Sequence, residues 1–531
     1  MPEENTDAVK NGFCRDEPTS VKAALPLSLQ QKFARAASVL TTAYLCTMFF
    51  VLPLVFSNYY FNITETKQYT FLIASGLYML LLLFARIALP PDFGLPRARF
   101  SLHPAAGALI ALFCAGLVGG LLSRYPGEVL FGENNRYQGL LTLFCYACLV
   151  FALSRREIDL RWPERAFLLA ACAVSLFGVL HHFGVDPIGF TKDLRAGDRG
   201  RFLSTIGNAD FYASYIAMAF AVSLGFFLRA KHRLERLLSV LVLVLVCFGA
   251  LVAGSDSAAL GLIALAAVSP LFLFSDAKAL RRLPLVWGIL LLCAFVFGLL
   301  CAVLPSVTYL SAITAALDRP AVSLPLAAVC IALWYALLRV APERLARAKR
   351  PYAAVLLAAI LLGLLALALL NTLLREIPLG GLERYLRFSE SWGTDRGKIW
   401  PFVLRVYARL PAMQQIFGAS SGALFHADAV KPLFPDAALD TAHNEYLHYL
   451  VTNGALGLLC YLAALTLTIR AGIRRGQAEP VYRGLTLAVI AYAAQASVNI
   501  AQPMTTPILF VLMGVLISRA PKQPVNSIPI A

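Results

Sequence analysis

Charge is in short supply in this 531-residue chain: Asp, Glu, Lys and Arg together make up 14% of it. A water-soluble domain carries about a quarter, so the shortage excludes a chain whose whole surface meets water. Acidic residues are the scarcer kind, 30 against 46 Lys and Arg, leaving a net charge of +16. In a soluble protein that excess would suggest nucleic acid. Here the cations gather in loops that flank apolar runs, which is what membrane orientation requires, and nucleic acid drops out as a partner. Cysteine is lacking where it would matter. Cys14 lies in a polar tail, and the other ten of the eleven, from Cys46 to Cys460, fall inside apolar stretches. That distribution excludes a disulfide framework or a clustered metal site. Cys145 and Cys148 share a CxxC spacing within one such stretch and read as small packing residues. No cleavable signal peptide is visible, because residues 1–35 are polar and the first apolar run is long enough to stay as an anchor.

What fills the chain instead is apolar. Hydrophobic residues reach 59%, with a mean hydropathy of +0.70. A spanning helix needs roughly 20 such residues. The runs lie near 36–57, 69–89, 103–122, 138–153, 164–183, 207–228, 236–253, 257–274, 283–303, 321–340, 352–374, 446–469, 484–501 and 505–518. They predict an all-α polytopic membrane helix bundle of about 14 transmembrane helices. The run at 138–153 and the last two are the shortest. The chain then divides into a disordered cytoplasmic tail (1–35), spans 1–11 (36–374), a large extracytoplasmic loop (375–442), spans 12–14 (443–519) and a cytoplasmic tail (520–531).

The cations fix the orientation. With the N-terminus inside, alternate loops carry 25 Lys and Arg, among them Arg97, Arg99, Arg155, Arg156, Arg282, Arg475 and Lys522. The short loops of the other side hold eight: Lys67, Arg124, Arg136, Lys192, Arg195, Arg199, Arg201 and Arg319. This bias predicts a multi-pass protein of the plasma (inner) membrane with both termini cytoplasmic. Residues 375–442 are too long for an ordinary connection, and loops of that size usually carry function. Ile399, Phe402, Val403, Val406 and Leu410 keep helical spacing, so a helix is expected there, covering the bundle or lying on the membrane. Pro401 interrupts it near its start.

Chemistry-bearing residues gather in three segments expected on the loop side. The first runs from Arg199 and Arg201 through Gly207, Asn208, Asp210 and Tyr212. The second is Asp395-Arg396-Gly397-Lys398-Ile399-Trp400. The third is Thr441-Ala442-His443-Asn444-Glu445-Tyr446-Leu447-His448, followed by Asn453-Gly454. Arginine beside a membrane is costly unless it meets a polar cavity or an anion, and its fork fits phosphate oxygens bidentately. A histidine there can take a proton from a hydroxyl. The same residues admit a plainer reading, with nonspecific lipid contact for the arginines and helix capping for His443. His443 and His448 are five apart, about 140° around a helix, so they do not form a zinc-protease pair. His181 and His182 are expected near the outer surface, as interfacial side chains or in contact with a bound substrate. Asn208, Asp210 and Tyr212 suit sugar hydroxyls, or else cap a helix. His426 and Asp428 receive no role.

At these segments the chain resembles the O-antigen ligase and polymerase family (the Wzy-C superfamily). The resemblance rests on Arg201 before Gly207-Asn208-Ala209-Asp210-Phe211-Tyr212, on Arg396 before Ile399-Trp400, on Gly418 to Gly422, and on Ala442-His443-Asn444-Glu445-Tyr446-Leu447. It departs at Gly254-Ser255-Asp256-Ser257, where many members read Ser-Arg. It implies a GT-C-like fold and an enzyme without cofactor. That enzyme transfers a glycan from an undecaprenyl-diphosphate-linked donor to a hydroxyl of a glycan or glycolipid acceptor, in contact with membrane lipid. His443, Arg201 and Arg396 would be catalytic, and Asn208, Asp210, Tyr212, Lys398 and Asn444 would bind substrate. A lipid-linked oligosaccharide flippase or other multi-pass transporter is the competing class. It is disfavoured by the lack of an internal repeat and by polar residues gathered at one face.

Overall fold

The computed structural model describes residues 29–87, 102–133, 136–195, 197–424, 426, 439 and 441–519. The segments 1–28 and 520–531, with Cys14, Arg97, Arg99, Asp428 and Lys522, lie outside them. The described chain is helical almost throughout, with one two-stranded ribbon, β1 (Phe202–Leu203) and β2 (Gly207–Asn208).

Each of the fourteen apolar runs forms a helix. In order these are α1 (Leu29–Cys46), α2 (Ile63–Ile87), α3 (Pro104–Leu121), α4 (Leu140–Ser154), α5 (Arg161–His182), α6 (Ala209–Arg229) and α7 (Arg233–Leu251). They continue with α8 (Asp256–Leu273), α9 (Ala277–Val303), α10 (Pro320–Leu338) and α11 (Lys349–Asn371). After the loop helices α12 (Trp392–Ala408) and α13 (Ala412–Phe417) come α14 (Glu445–Ala478), α15 (Val481–Ala496) and α16 (Thr506–Leu516). Among the described residues, eleven candidate helices are long and apolar enough to cross a membrane. The shortfall from fourteen lies in α4, α15 and α16, of 15, 16 and 11 residues. At 1.5 Å per residue they fall short of a 30 Å hydrocarbon layer. Yet α16 is buried along its entire length, an apolar helix enclosed by others and so freed from matching the bilayer itself.

Contacts between connections sort the helix ends into two sets. At one end, Tyr60 donates to the Ser204 carbonyl, the Val307 amide to His182, Gln414 to Leu122 and Tyr385 to Asp256. At the other, the Arg519 amide reaches Arg156, Arg281 reaches Leu337 and Arg483 reaches Asp276. The helices therefore run alternately between the two ends. Residue 519 lies at the end opposite the large loop. α11 has no buried residue and α10 only Ser323 and Ala327. Both are apolar all round and stand at the periphery, where lipid is their solvent.

Lys67 departs from expectation. It belongs not to a loop but to the second turn of α2, fully buried, where its ammonium donates to the carbonyls of Leu52 and Pro53 at 2.8 Å each. The first span unwinds through a π-turn at Thr47–Val51 and ends just past Pro53. That ending frees carbonyls which a buried cation can satisfy.

The large loop is folded against the bundle. In α12, Ile399, Phe402 and Val403 are buried and join Ala419, Leu424, Leu439, Ala442 and Val451 in a small core of their own. Pro401 is tolerated inside this helix. The irregularity sits earlier, where Gly393, Thr394 and Asp395 have φ of 61°, 61° and 65°, so regular helix begins at Arg396. Gly454 breaks α14 with φ 72° and ψ 179°. The break exposes the Val451 and Thr452 carbonyls, which accept from the amides of Ala419 and Ser420 at 2.9 and 3.0 Å. A Cβ on Gly418 would overlap the Thr452 carbonyl, and one on Gly454 would overlap the Ile416 carbonyl. The two backbones meet only because neither residue carries a side chain.

Candidate active site

The first segment enters α6 through the ribbon. Arg201 ends a 3-10 turn and is exposed; Phe202 pairs with Asn208 and Leu203 with Gly207. Asn208 caps α6, its side-chain oxygen accepting from the Asp210 amide at 2.9 Å. Ser204, with φ 56° at the ribbon's turn, is held by His181, whose Nδ1 accepts the Ser204 amide at 3.0 Å. An acceptor Nδ1 leaves the proton on Nε2, which faces Asp186 at 3.4 Å. His181 and His182 are thus buried supports of this ribbon and of the 304–308 connection, not interfacial side chains. Burial opposes ionisation of Asp186. Amides of Gly189, Phe190 and Thr191 and the Thr191 hydroxyl outweigh it and hold the carboxyl below the usual range. Tyr212 points the other way, fully buried against Gly178 of α5.

The second segment opens α12. Arg396 donates to its own Gly393 carbonyl and, at 2.6 Å, to the Val498 carbonyl beyond α15. Burial lowers its pKa, and the carboxylate of Asp210 works against that shift. Arg396 of the loop and Asp210 of α6 therefore share one electrostatic neighbourhood. Gly397 sits where any Cβ would strike the Ser389 carbonyl, which fixes the approach of this turn. Lys398, two residues after Arg396, is half-buried.

The third segment opens α14. His443 is half-buried with φ 46°, and Asn444 caps the helix, accepting from the amides of Tyr446 and Leu447 at 3.0 and 3.1 Å. The fully buried Glu445 accepts from the hydroxyls of Tyr461 and Tyr492 at 2.5 and 2.9 Å.

What joins the three segments is the end of α15, a region without signal in the sequence. Val498 accepts from Arg396, Asn499 donates to the Asp210 carbonyl at 2.9 Å, and Ala493 accepts from Tyr446 at 2.6 Å. Gln495 donates to the Ser257 carbonyl at 2.7 Å. The divergent turn at Gly254-Ser255-Asp256-Ser257 belongs to the same cluster. The Ser255 hydroxyl donates to Asp210, and Asp256 accepts from Tyr385 of the large loop at 3.0 Å. The loop's far side closes onto the 122–139 connection. There Glu128 meets His426 at 2.6 Å and Glu133 accepts the Gly422 amide at 2.7 Å. His426 thus has a structural place that its sequence context did not disclose.

A multi-pass helical membrane protein with the three motif segments at one end, under a folded loop, is the class this geometry defines. Residues 310–462 match the model of the O-antigen ligase family, and over that span the chain is similar to that family. The match takes in Arg396, Lys398, His443 and Asn444; Arg201, Asn208, Asp210 and Tyr212 lie before it. No curated protein matches the chain. The family supports a ligase- or polymerase-type membrane glycosyltransferase, with a lipid-linked glycan as donor and a glycan acceptor.

Proposed function

We propose that the protein transfers a glycan from undecaprenyl diphosphate to a hydroxyl on a glycan or glycolipid acceptor. Transfer takes place at the outer face of the plasma membrane and needs no metal ion; both termini are cytoplasmic. The observation that carries this reading is the meeting of Arg396 with the Asp210 end of α6, within the connection that also holds the start of α14. Three segments far apart in sequence thereby share one end of the bundle.

In the reaction the acceptor oxygen bonds to the anomeric carbon as the bond from that carbon to the phosphate oxygen breaks. The electron pair leaves with undecaprenyl diphosphate. Arg201 and Arg396 offset the charge that develops on it. His443 takes the acceptor proton and later yields it to water. Lys398 is a further phosphate contact. Asn208 and Asn444 spend their oxygens on helix caps, which leaves their amide nitrogens to donate to sugar hydroxyls. Asp210 orients Arg396 and the sugar. Tyr212 acts from beneath, by packing.

The test is direct. Purified protein in lipid is incubated with an undecaprenyl-diphosphate oligosaccharide, with and without a second glycolipid and with chelator. Glycan lengthening indicates polymerisation, and transfer to the glycolipid indicates ligation. Neither product, or a rate abolished by chelator and restored by magnesium, overturns the reading.

A further inference from the structure

The end of the bundle opposite the large loop holds a cavity of about 270 Å³ that the transfer reaction does not use. It opens between the last turn of α6, the first turns of α7 and α9, the end of α8 and the start of α15. Six cations line it: Arg229, Lys231, Arg236, Lys278, Arg282 and Arg483. Asp276 is the one carboxylate. A general excess of cations at this end follows from membrane orientation alone, but that bias does not build a cavity.

Three features make this a site. Its floor is apolar, with Leu224, Leu273 and Leu487 all buried beneath the charged rim. Two of its guanidinium groups are held in place. Arg282 donates to the Ala230 carbonyl at 2.8 Å, and Arg483 donates to the Gly476 carbonyl and to Asp276, at 2.7 and 2.6 Å. Asp276 is already committed, to Arg483 and to the Ala279 amide at 3.1 Å, and Arg229 is paired with Glu164 of α5. The balance of the lining remains strongly positive. Lys231, Arg236 and Lys278 stand exposed around the mouth. An apolar floor beneath a preorganised basic rim suits an anion attached to something apolar.

We propose that this cavity binds a phosphate group, supplied in the bilayer by the headgroup of an anionic phospholipid. Arg282 and Arg483 hold the phosphate oxygens, and Arg236 and Lys278 close over them. The site is independent of the transfer chemistry and stands whether or not that assignment does.

Native mass spectrometry of the intact detergent-solubilised protein tests it. The probes are phosphatidylglycerol, phosphatidylcholine and inorganic phosphate. Phosphatidylglycerol adducts are expected to survive where phosphatidylcholine adducts do not. The double variant Arg236→Ala/Lys278→Ala, whose exposed side chains support no packing, is expected to retain them roughly five-fold less or weaker still. Lys278→Arg should bind as the parent does. Arg161→Ala removes a cation at the same end outside this cavity and should change nothing. Equal retention by the double variant, or equal loss with Arg161→Ala, overturns the site. Residue-dependent binding of inorganic phosphate without phosphatidylglycerol overturns the lipid source.

Discussion

Arg396 and Val498 are 102 positions apart, yet the guanidinium of one donates to the carbonyl of the other at 2.6 Å. This bond ties the first turn of the loop helix to the end of α15, beside Asp210. A lysine would keep the charge but could not reach Val498 and an anion at once, since its ammonium lacks the planar fork. Arg396→Lys is expected to lower the transfer rate by about 10²-fold or more, with little change in thermal stability. Initial rates with a lipid-linked donor measure this. A rate equal to the parent's would remove Arg396 from the chemistry.

The docking of the large loop rests on Gly454 and Gly418. Each has a backbone conformation that side chains avoid, and each touches a carbonyl of the other's segment. The backbone strain of Gly454→Ala alone costs on the order of 1–3 kcal/mol, before the overlap with Ile416 is relieved. Limited proteolysis is expected to cut the 410–424 region of this variant faster, and its melting temperature to fall. Gly363→Ala in α11, where a Cβ meets open space, serves as the control and should not lower stability.

Asp186 makes the ribbon's support sensitive to acid. Its folded pKa is depressed, so the stability it contributes is present above the unfolded carboxylate value, near 3.9. That contribution is lost as pH falls through the lower folded value. Hydrogen exchange at Gly189, Phe190 and Thr191, corrected for intrinsic rates, is expected to accelerate as pH drops below about 4. In Asp186→Asn the same amides should exchange fast at neutral pH and show no acid step.

Much of the bundle was legible because bilayer solvation imposes a length and a polarity on each helix. The apolar runs, the loop helix with Ile399, Phe402 and Val403 on its buried face, and the even alternation of helix ends all follow from pattern. Lys67 was misplaced because a cation buried by two carbonyls has no signature apart from the helix it belongs to. The hub at Ala493 to Asn499 escaped notice for a related reason. Two of its four contacts use the backbone carbonyls of Val498 and Ala493, which any residue supplies. The other two use the side-chain amides of Asn499 and Gln495, whose partners only the fold brings near. His181, His182 and Asn444 carried visible polarity, but their tasks, holding a turn or capping a helix, are set by tertiary neighbours.

Glu445 shows how a carboxyl is accommodated deep in the helices. Tyr461 and Tyr492 both donate to it, and Tyr492 also meets Thr506 at 2.7 Å, so α14, α15 and α16 share one polar cluster. Glu445→Ala leaves the buried Tyr461 hydroxyl without its acceptor, a cost of about 1–3 kcal/mol, while Tyr492 keeps Thr506. Glu445→Gln keeps an acceptor oxygen and should cost less. Melting temperatures in detergent are expected to rank parent, Gln, Ala. An Ala variant as stable as the parent would show that water replaces the carboxyl.

His443 precedes the α14 cap and has φ 46°, so its replacement must separate chemistry from backbone strain. Alanine tolerates a left-handed backbone poorly, whereas asparagine visits it readily. His443→Asn therefore preserves the turn while removing the imidazole. If His443 takes the acceptor proton, this variant should lose about 10²–10⁴-fold in transfer rate, and the acid limb of the pH–rate profile should vanish with it. Donor affinity should stay close to the parent's, because a base acts on the acceptor and leaves the diphosphate with the arginines. Measuring lipid-linked donor binding and turnover on the same preparation distinguishes the outcomes. Weakened donor binding with an unchanged chemical step would make His443 a support for the Asn444 cap, and the proton would need another acceptor.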